Sequence, residues 1–516
     1  MTNVLPFAQL PAGHTHQLEH AGTKVLLTNV EGTVYAVESK CSHFGLPLEN
    51  AALCGYRLRC PFHHACFDVR DGKQLEAPGM DGLTTFKVEV KDGAIHLFDA
   101  PNVASEPSAA PAAAPDPQTH YDYAIVGGGI AAANAVDGIR ELDQKSSIVL
   151  LTREDLPPYD RTHVSKALLD GGKDAADLSV RPDEYYAEQG VDLRASTVVS
   201  EVNVENKTIT ILGGDVLTYN KVLLATGGTP RQLDLPGSAL HDVHLMRRAS
   251  DAEVVREKVS KGTKVVIIGG SFIGLEAAMS LGKQGGDITV VAPEETLFKG
   301  PFGKKIGDWV QSLHEESGVK FRLGRKVKEI IGDRKVTGVE LDNGDKISAE
   351  VVVVGIGVVP ETSYLTGLAA AKDGGLDVNN HLEAKVGNVW AAGDIAHYPD
   401  REGSVRIEHW KVAAQQGKVA GRNMAGGGEP YTMVPFFWSN QQGTNIRCVG
   451  HATDYDDIVF DGTPGEGPFI AFYLKGDHCQ AALGVKRDKD VAAIGELMNA
   501  GRMPEKADLR ALVASL

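Results

Sequence analysis

Two short Cys-His clusters, Cys41-Ser-His43 and Cys60-Pro-Phe-His63, constrain this chain more than any other stretch of it. Each half supplies one thiol and one imidazole from a short loop, so two hairpin-like loops can close over a common centre. Two thiolates and two imidazoles in this order suit a [2Fe-2S] centre in which the cysteines hold one iron and the histidines the other. A mononuclear zinc site uses the same ligand types. Its usual spacings are C-x2-4-C and H-x3-5-H, whereas here each half is mixed and the first is a tight C-x-H.

The surroundings narrow this. Cys60-Pro-Phe-His63-His64-Ala65-Cys66-Phe67-Asp68 followed by Asp71-Gly72 closely resembles the second cluster-binding loop of Rieske proteins. His64 stands where that family usually has Gly, so the turn must tolerate a side chain. Leu46 and Phe62 occupy the positions of the loop-to-loop disulfide of respiratory Rieske proteins, and Ala65 replaces their sulfur-bonding Ser. Fewer hydrogen bonds to the cluster sulfurs argue for the low end of the Rieske potential range, about -150 mV. The resemblance implies a ferredoxin-type domain that takes electrons from a flavin.

At 516 residues, and about 150 residues per domain, the chain has room for three or four units. No run of eighteen apolar residues is present to span a membrane. The start, Met1-Thr-Asn-Val-Leu-Pro, lacks a basic and apolar leader, from which a cytoplasmic location is expected. A formal charge of -16 argues against nucleic acid and anionic membranes as partners. Six cysteines are too few for a disulfide scaffold. With Cys41 and Cys60 assigned to iron, Cys54, Cys66, Cys448 and Cys479 read as reduced structural thiols.

Alternating segments between turn signals (Lys24-Val-Leu-Leu-Thr, Thr33-Val-Tyr-Ala-Val, Phe86-Lys-Val-Glu-Val, Ala94-Ile-His-Leu-Phe) make residues 1 to 99 an all-β domain. Residues 100 to 120 are rich in Pro and Ala and read as a linker. About twenty flexible residues span roughly 25 Å, which would tether the first domain to the rest at millimolar effective concentration.

Beyond it, Tyr123-Ala-Ile-Val-Gly127-Gly-Gly129-Ile-Ala-Ala132 reads as strand, glycine turn and helix, a geometry that brings backbone amides up to a pyrophosphate. The next strand ends at Arg153-Glu154, and Glu154 is the expected acceptor for an adenosine ribose hydroxyl. A second fingerprint, Lys264-Val-Val-Ile-Ile-Gly269-Gly-Ser271-Phe-Ile-Gly274-Leu-Glu276, repeats the pattern. One such motif says little, whereas two in one chain are far more specific. Ala225-Thr226-Gly227 lies between them and Gly393-Asp394 after them.

In this order the motifs identify the chain as a member of the flavoproteins with two dinucleotide-binding domains. Residues 121 to 516 resemble the ferredoxin reductases of oxygenase systems and the apoptosis-inducing-factor-like flavoproteins, and with the N-terminal domain the whole chain looks like the Rieske-bearing branch of the latter. The resemblance implies FAD contacts by Arg161 and Lys166 in Pro158-Tyr159-Asp-Arg161-Thr-His-Val-Ser-Lys166, by Arg231, by the Val199 backbone and by Asp394 on the ribityl chain. It places His409, Trp410 and Trp438 against the flavin, with Trp438 as a gate for departing electrons. Lys166 and Glu276 form a pair beside the flavin and nicotinamide, expected to position the carboxamide and favour reduced flavin.

NADH-preferring relatives end the second strand of the nucleotide domain with an acid, and here Ala292 stands in its place. Glu294 could substitute from two residues on, and no Arg follows to meet a 2'-phosphate, so NADH is expected ahead of NADPH, with dual use open. The FAD domain is read as discontinuous, 121 to 245 and 372 to 430, with the NAD(P) domain of 246 to 371 inserted and closing at Gly357. Residues 431 to 516 form an α+β interface domain.

No Cys lies between Cys66 and Cys448, which sets thiol-disulfide chemistry at the flavin aside. The expected activity is transfer from NAD(P)H through FAD and the [2Fe-2S] cluster to an unidentified acceptor, such as a ferredoxin, cytochrome or oxygenase component, by a monomer or homodimer. A slow, redox-responsive binding protein and a direct reductase of quinones or radicals are the alternatives.

Overall fold

Successive side chains of a strand point to opposite faces, and Thr23–Val30 uses this to serve two cores. Val25 and Leu27 pack with Leu5, Phe86, Ile95 and Leu97, while Leu26 and Val30 join Leu48, Phe67, Cys41 and Cys60. Burial on both faces explains the consecutive apolar run Val25-Leu26-Leu27. The computed structural model describes residues 2–102, 117–182, 184–400 and 403–515. Their contacts divide the chain into two units, one combining the N-terminal residues with Thr432–Trp438 and Ile446–Leu516, the other combining the central residues up to Tyr431 with Ser439–Asn445.

In the first unit a six-stranded sheet runs in the order Thr2–Pro6, Ala94–Asn102, Thr85–Lys91, Thr33–Glu38, Thr23–Val30, Thr15–His20, antiparallel throughout. A four-stranded sheet of Ala52–Cys54, Arg57–Arg59, Cys66–Asp68 and Gln74–Glu76 carries the second cluster loop between its middle strands. The C-terminal part is a five-stranded sheet. Helices Asp488–Asn499 and Leu509–Ser515 cover it, burying Val491, Ile494, Met498, Leu509 and Val513 against Phe436, Ile470 and Phe472.

The N-terminal and C-terminal parts of this unit are joined by a buried ion network. Arg59, 1% exposed, bonds Glu76 at 2.6 Å and also bonds Glu496 of the helix Asp488–Asn499, itself 3% exposed. Arg57 Nε donates to Glu496 Oε2 at 2.8 Å. Arg447 donates to the Phe62 carbonyl at 2.9 Å and pairs with Asp488. His64 has φ +61, in the left-handed region, and its ring stacks on Phe436 at 3.7 Å. A left-handed non-glycine costs on the order of 1 kcal/mol, and an aromatic stack returns about as much. These contacts dock the N-terminal residues on the C-terminal part of the same unit. Of the stretch read as linker, residues 103–116 lie outside the described residues, while Asn102 ends one strand and His120 begins another.

The second unit holds two sheets whose central strands run parallel. Val191–Arg194, Ile148–Leu151, His120–Val126 and Val216–Leu224 form the first, with Val389–Ala391 paired to the last of these. Val243–Leu245, Val351–Val354, Lys264–Ile268, Asp287–Ala292 and Lys320–Leu323 form the second. Each glycine fingerprint sits at the carboxyl end of a central strand, where such sheets bind ligands. No helix among the described residues is long and apolar enough to cross a membrane.

The six cysteines are all free of disulfide bonds. Burial pushes the thiols of Cys66, Cys448 and Cys479 up to about 12, which suppresses their thiolate at neutral pH. Cys54 is only half-buried. Maleimide added to the native holoprotein at pH 7.0 (roughly, the pH at which free thiols react selectively) is expected to label Cys54 first and spare the other three until unfolding, as read by peptide mass mapping. Labelling of Cys448 in the native protein would contradict the burial.

Candidate functional site

Cys41 follows the strand Thr33–Glu38, and its loop closes through Cys41 N–H to Leu46 O and Gly45 N–H to Cys41 O, both 2.8 Å. Cys60 directly follows Arg57–Arg59, and its loop closes through Cys60 N–H to Ala65 O at 2.8 Å and His64 N–H to Cys60 O at 3.1 Å. The loops bring the sulfurs into hydrogen-bond reach: the bond to Cys60, together with burial, pushes the Cys41 thiol up, and the same bond holds Cys60 down. Nδ1 of His43 and Nδ1 of His63 lie 3.2 Å apart. Sulfur thus meets sulfur and nitrogen meets nitrogen, the grouping that a two-iron centre with unlike ligand pairs requires. The ring of His63 lies 4.6 Å from that of Trp438, and the ring of His43 lies 3.7 Å from that of Phe44, which is 45% exposed.

In the second unit the first fingerprint forms a cradle. Gly127 has φ +126, and a β-carbon there would fall 2.1 Å from the Ala225 carbonyl oxygen, so the Gly127 and Ala225 turns can only approach this closely with glycine. A β-carbon on Gly129 would meet nothing within 4 Å, and Gly129 caps the helix Ile130–Leu142 without a side-chain bond to its first amides. An open face at uncapped helix amides fits a pyrophosphate. Ala132 is fully buried in that helix, and Val199 opens the strand Val199–Asn203 against the sheet core.

The predicted flavin contacts Glu154 and Arg161 are brought together. Arg161 Nη2 donates to Glu154 Oε1 at 2.5 Å, and burial, which pushes the carboxyl up, is outweighed by that guanidinium, leaving Glu154 below its ordinary value. Tyr159 joins them: its hydroxyl donates to Glu154 at 2.8 Å and accepts from Arg161 at 2.8 Å and from Ala249 N–H at 3.0 Å. Asp394 accepts from Arg247 at 2.8 Å, Gly393 N–H donates to Gln416 at 2.8 Å, Thr226 donates to the Glu361 carbonyl at 2.6 Å, and Arg231 N–H donates to the Gly357 carbonyl at 2.9 Å. Gly227 lies against this Arg247–Asp394 pair. His409 caps the helix Trp410–Met424. Sequence reasoning missed Arg247, Gln416 and the central part of Tyr159, because a single Arg, Gln or Tyr in a loop carries no pattern until its partner is placed.

Lys166 and Glu276, 110 positions apart, do meet: Lys166 Nζ donates to Glu276 Oε2 at 2.7 Å and to the Thr162 carbonyl at 2.9 Å. Ser165 donates to the same Oε2 at 2.6 Å, and Ser439 donates to Oε1 at 2.7 Å. Glu276 is 5% exposed. The carboxylate is thus buried and held from three sides, by Ser165, Ser439 and the half-buried Lys166.

At the second fingerprint Gly269 has φ +119, and a β-carbon there would fall 2.3 Å from the Gly355 carbonyl oxygen, which also accepts from Ser271 Oγ at 3.0 Å. Gly274 packs the helix Phe272–Lys283 directly on Gly269. Ala292 is buried at the strand end, and Glu294 is exposed. Arg325 N–H donates to the Ala292 carbonyl at 3.1 Å, which brings the backbone after the neighbouring strand Lys320–Leu323 beside this strand end.

Comparison with known proteins agrees with this arrangement. The family described as "Pyridine nucleotide-disulphide oxidoreductase" matches residues 121–417, "Rieske [2Fe-2S] domain" matches 1–87, and "Reductase C-terminal" matches 436–516. The chain belongs to the pyridine nucleotide-disulphide oxidoreductase family, with an N-terminal Rieske domain and a reductase C-terminal domain. The zinc alternative falls with that match. Human apoptosis-inducing factor 3 is 31% identical over 516 residues, 98% of this chain and 85% of its own. The ferredoxin–NAD(+) reductase component of the anthranilate 1,2-dioxygenase system of Burkholderia cepacia is 35% identical over 401 residues, 75% of this chain and 96% of its own. The crystal structure of the covalent putidaredoxin reductase–putidaredoxin complex superposes with a TM-score of 0.72 at 27% identity, covering 77% of this chain and 98% of that one. The protein is an FAD-dependent NAD(P)H oxidoreductase with a [2Fe-2S] cluster.

Proposed function

We propose that this protein is a cytoplasmic reductase in which Cys41, His43, Cys60 and His63 hold the cluster, and in which electrons from NADH, its better donor, leave one at a time to a ferredoxin-type acceptor. When bound, FAD takes two electrons as hydride and gives them up singly, and the cluster carries one at a time. The observation that carries the reading is the meeting of the two sulfurs and of the two imidazoles, with the His63 ring 4.6 Å from that of Trp438. Trp438 is followed in sequence by Ser439, whose hydroxyl binds Glu276.

The residues divide the work. The Gly127 to Ala132 turn, with Ala225, Thr226 and Gly227, binds the flavin pyrophosphate. Glu154, Arg161, Arg231, Val199, Gly393, Asp394, His409 and Trp410 hold the rest of FAD. Gly269, Ser271, Gly274, Glu294 and Gly357 bind the pyridine nucleotide. Lys166 and Glu276 orient the reacting rings. The domain limits at 99, 120, 245, 371 and 430 belong to the same reading.

Anaerobic stopped-flow mixing with NADH, and then with NADPH, tests it. Native protein is expected to bleach the flavin first and the cluster second, faster with NADH. Lys166→Ala and Glu276→Ala are expected to slow flavin bleaching by about 10- to 100-fold, within the range for lost positioning, while leaving the cluster spectrum unchanged. Native bleaching rates in both variants would remove these residues from the mechanism.

A further inference from the structure

Glu276 is approached from the side opposite Lys166 by a line of hydrogen bonds that ends on a buried histidine. Gln441 Nε2 donates to Ser439 Oγ at 2.8 Å, Gln441 Oε1 lies 2.8 Å from His314 Nε2, and Gln442 Nε2 lies 3.0 Å from His314 Nδ1. His314 and Gln441 are 0% exposed and Ser439 is 1% exposed.

The donors have one consistent direction. The amide NH2 of Gln442 can only donate, so His314 Nδ1 is the accepting nitrogen and the proton sits on Nε2. Nε2–H then donates to the Gln441 carbonyl oxygen, the Gln441 amide donates to Ser439, and the Ser439 hydroxyl, already an acceptor, is left to donate to Glu276. Burial lowers the His314 pKa, with Gln441 opposing, in keeping with a neutral ring. Gln442 takes φ +50 with its amide set against His314.

We propose that His314, on the helix Lys304–Glu316, is a positioning residue: acting through Gln441 and Ser439, it fixes the Glu276 carboxylate so that Oε1 is taken and Oε2 faces Ser165 and Lys166. Nothing in the sequence joins these residues, since His314 reads as one apolar-face position of an amphipathic helix. The inference rests on the role proposed above for Glu276.

Anaerobic flavin reduction by NADH is measured for the native holoprotein, His314→Leu, His314→Gln, Glu276→Gln and the Glu276→Gln/His314→Leu double variant. His314→Leu is expected to lower the limiting rate about 5- to 10-fold, the scale of one lost hydrogen bond, with the NADH Kd unchanged. His314→Gln, whose amide can still donate to Gln441, should restore most of that rate. In the Glu276→Gln background, His314→Leu should cost nothing further. As a readout separate from turnover, 15N-histidine NMR of the native holoprotein should show His314 as the neutral Nε2–H tautomer. A native rate in His314→Leu, additive losses in the double variant, or an Nδ1–H tautomer would overturn the proposal. A slowed Glu276→Gln beside a native-rate His314→Leu would overturn this inference alone, whereas a native-rate Glu276→Gln would overturn the Glu276 role and this inference with it.

Discussion

His63→Ala is expected to abolish the visible and EPR signature of the cluster while NADH still bleaches the flavin at close to the native rate. The loss follows from ligand count, because the four ligating positions come from two turns and alanine offers no donor atom. Disturbing the outer partners of a metal ligand already costs about 10- to 100-fold, so removing the ligand itself should lower reduction of a one-electron acceptor by at least that much. The flavin half is expected to survive because the Lys166–Glu276 pair and both glycine turns belong to the second unit. Iron content, EPR and stopped-flow traces on one preparation check all three points. Acceptor reduction at the native rate would favour direct reduction of small molecules at the flavin, with the cluster as an accessory.

Glu496→Ala should have the largest effect on stability. In the native protein Arg57 and Arg59 face Glu76 and Glu496, two charges against two, in a setting where only the Arg57 side chain, at 36%, has substantial exposure. Removing one acid leaves a buried cation short of a partner, which costs about 3–5 kcal/mol, against a typical total of about 5–15 kcal/mol. The variant should melt at lower temperature and expose residues 1–99 to protease under conditions where the native protein resists. Replacing Arg59, Glu76 and Glu496 together with apolar residues of similar volume should recover much of the loss, since the cost lies in the unpaired charge. A Glu496→Ala protein that melts with the native one would mean the network is neutral on balance.

What could be read in advance follows the range over which each feature is encoded. The proposed cluster ligands Cys41, His43, Cys60 and His63 and the glycine turns at Gly127 and Gly269 are local features, with chemistry fixing residue type and spacing within a few positions, so they could be read directly from the sequence. The Lys166–Glu276 pair was legible only through resemblance, since nothing local joins positions so far apart. The Arg59–Glu496 ion pair was not legible at all: 437 positions separate its members, and an Arg in a strand or a Glu in a helix looks like a solvated charge until the fold buries it. His64 falls between these cases. The sequence marked its turn as unusual, and the structure shows a left-handed residue whose ring lies on Phe436, giving that turn a packing duty as well as a shape.

That docking makes the N-terminal domain a poor cassette. An engineer who excised it as a free-standing ferredoxin would leave Arg59 without Glu496, Phe62 without Arg447 and the His64 ring without its platform. Grafted onto another reductase, it would seat only if the host offered an acid on the helix matching Asp488–Asn499 and an aromatic residue on the strand matching Phe436–Gln441. A chimaera that exchanged either part alone would break the same contacts, so the two parts are best moved together.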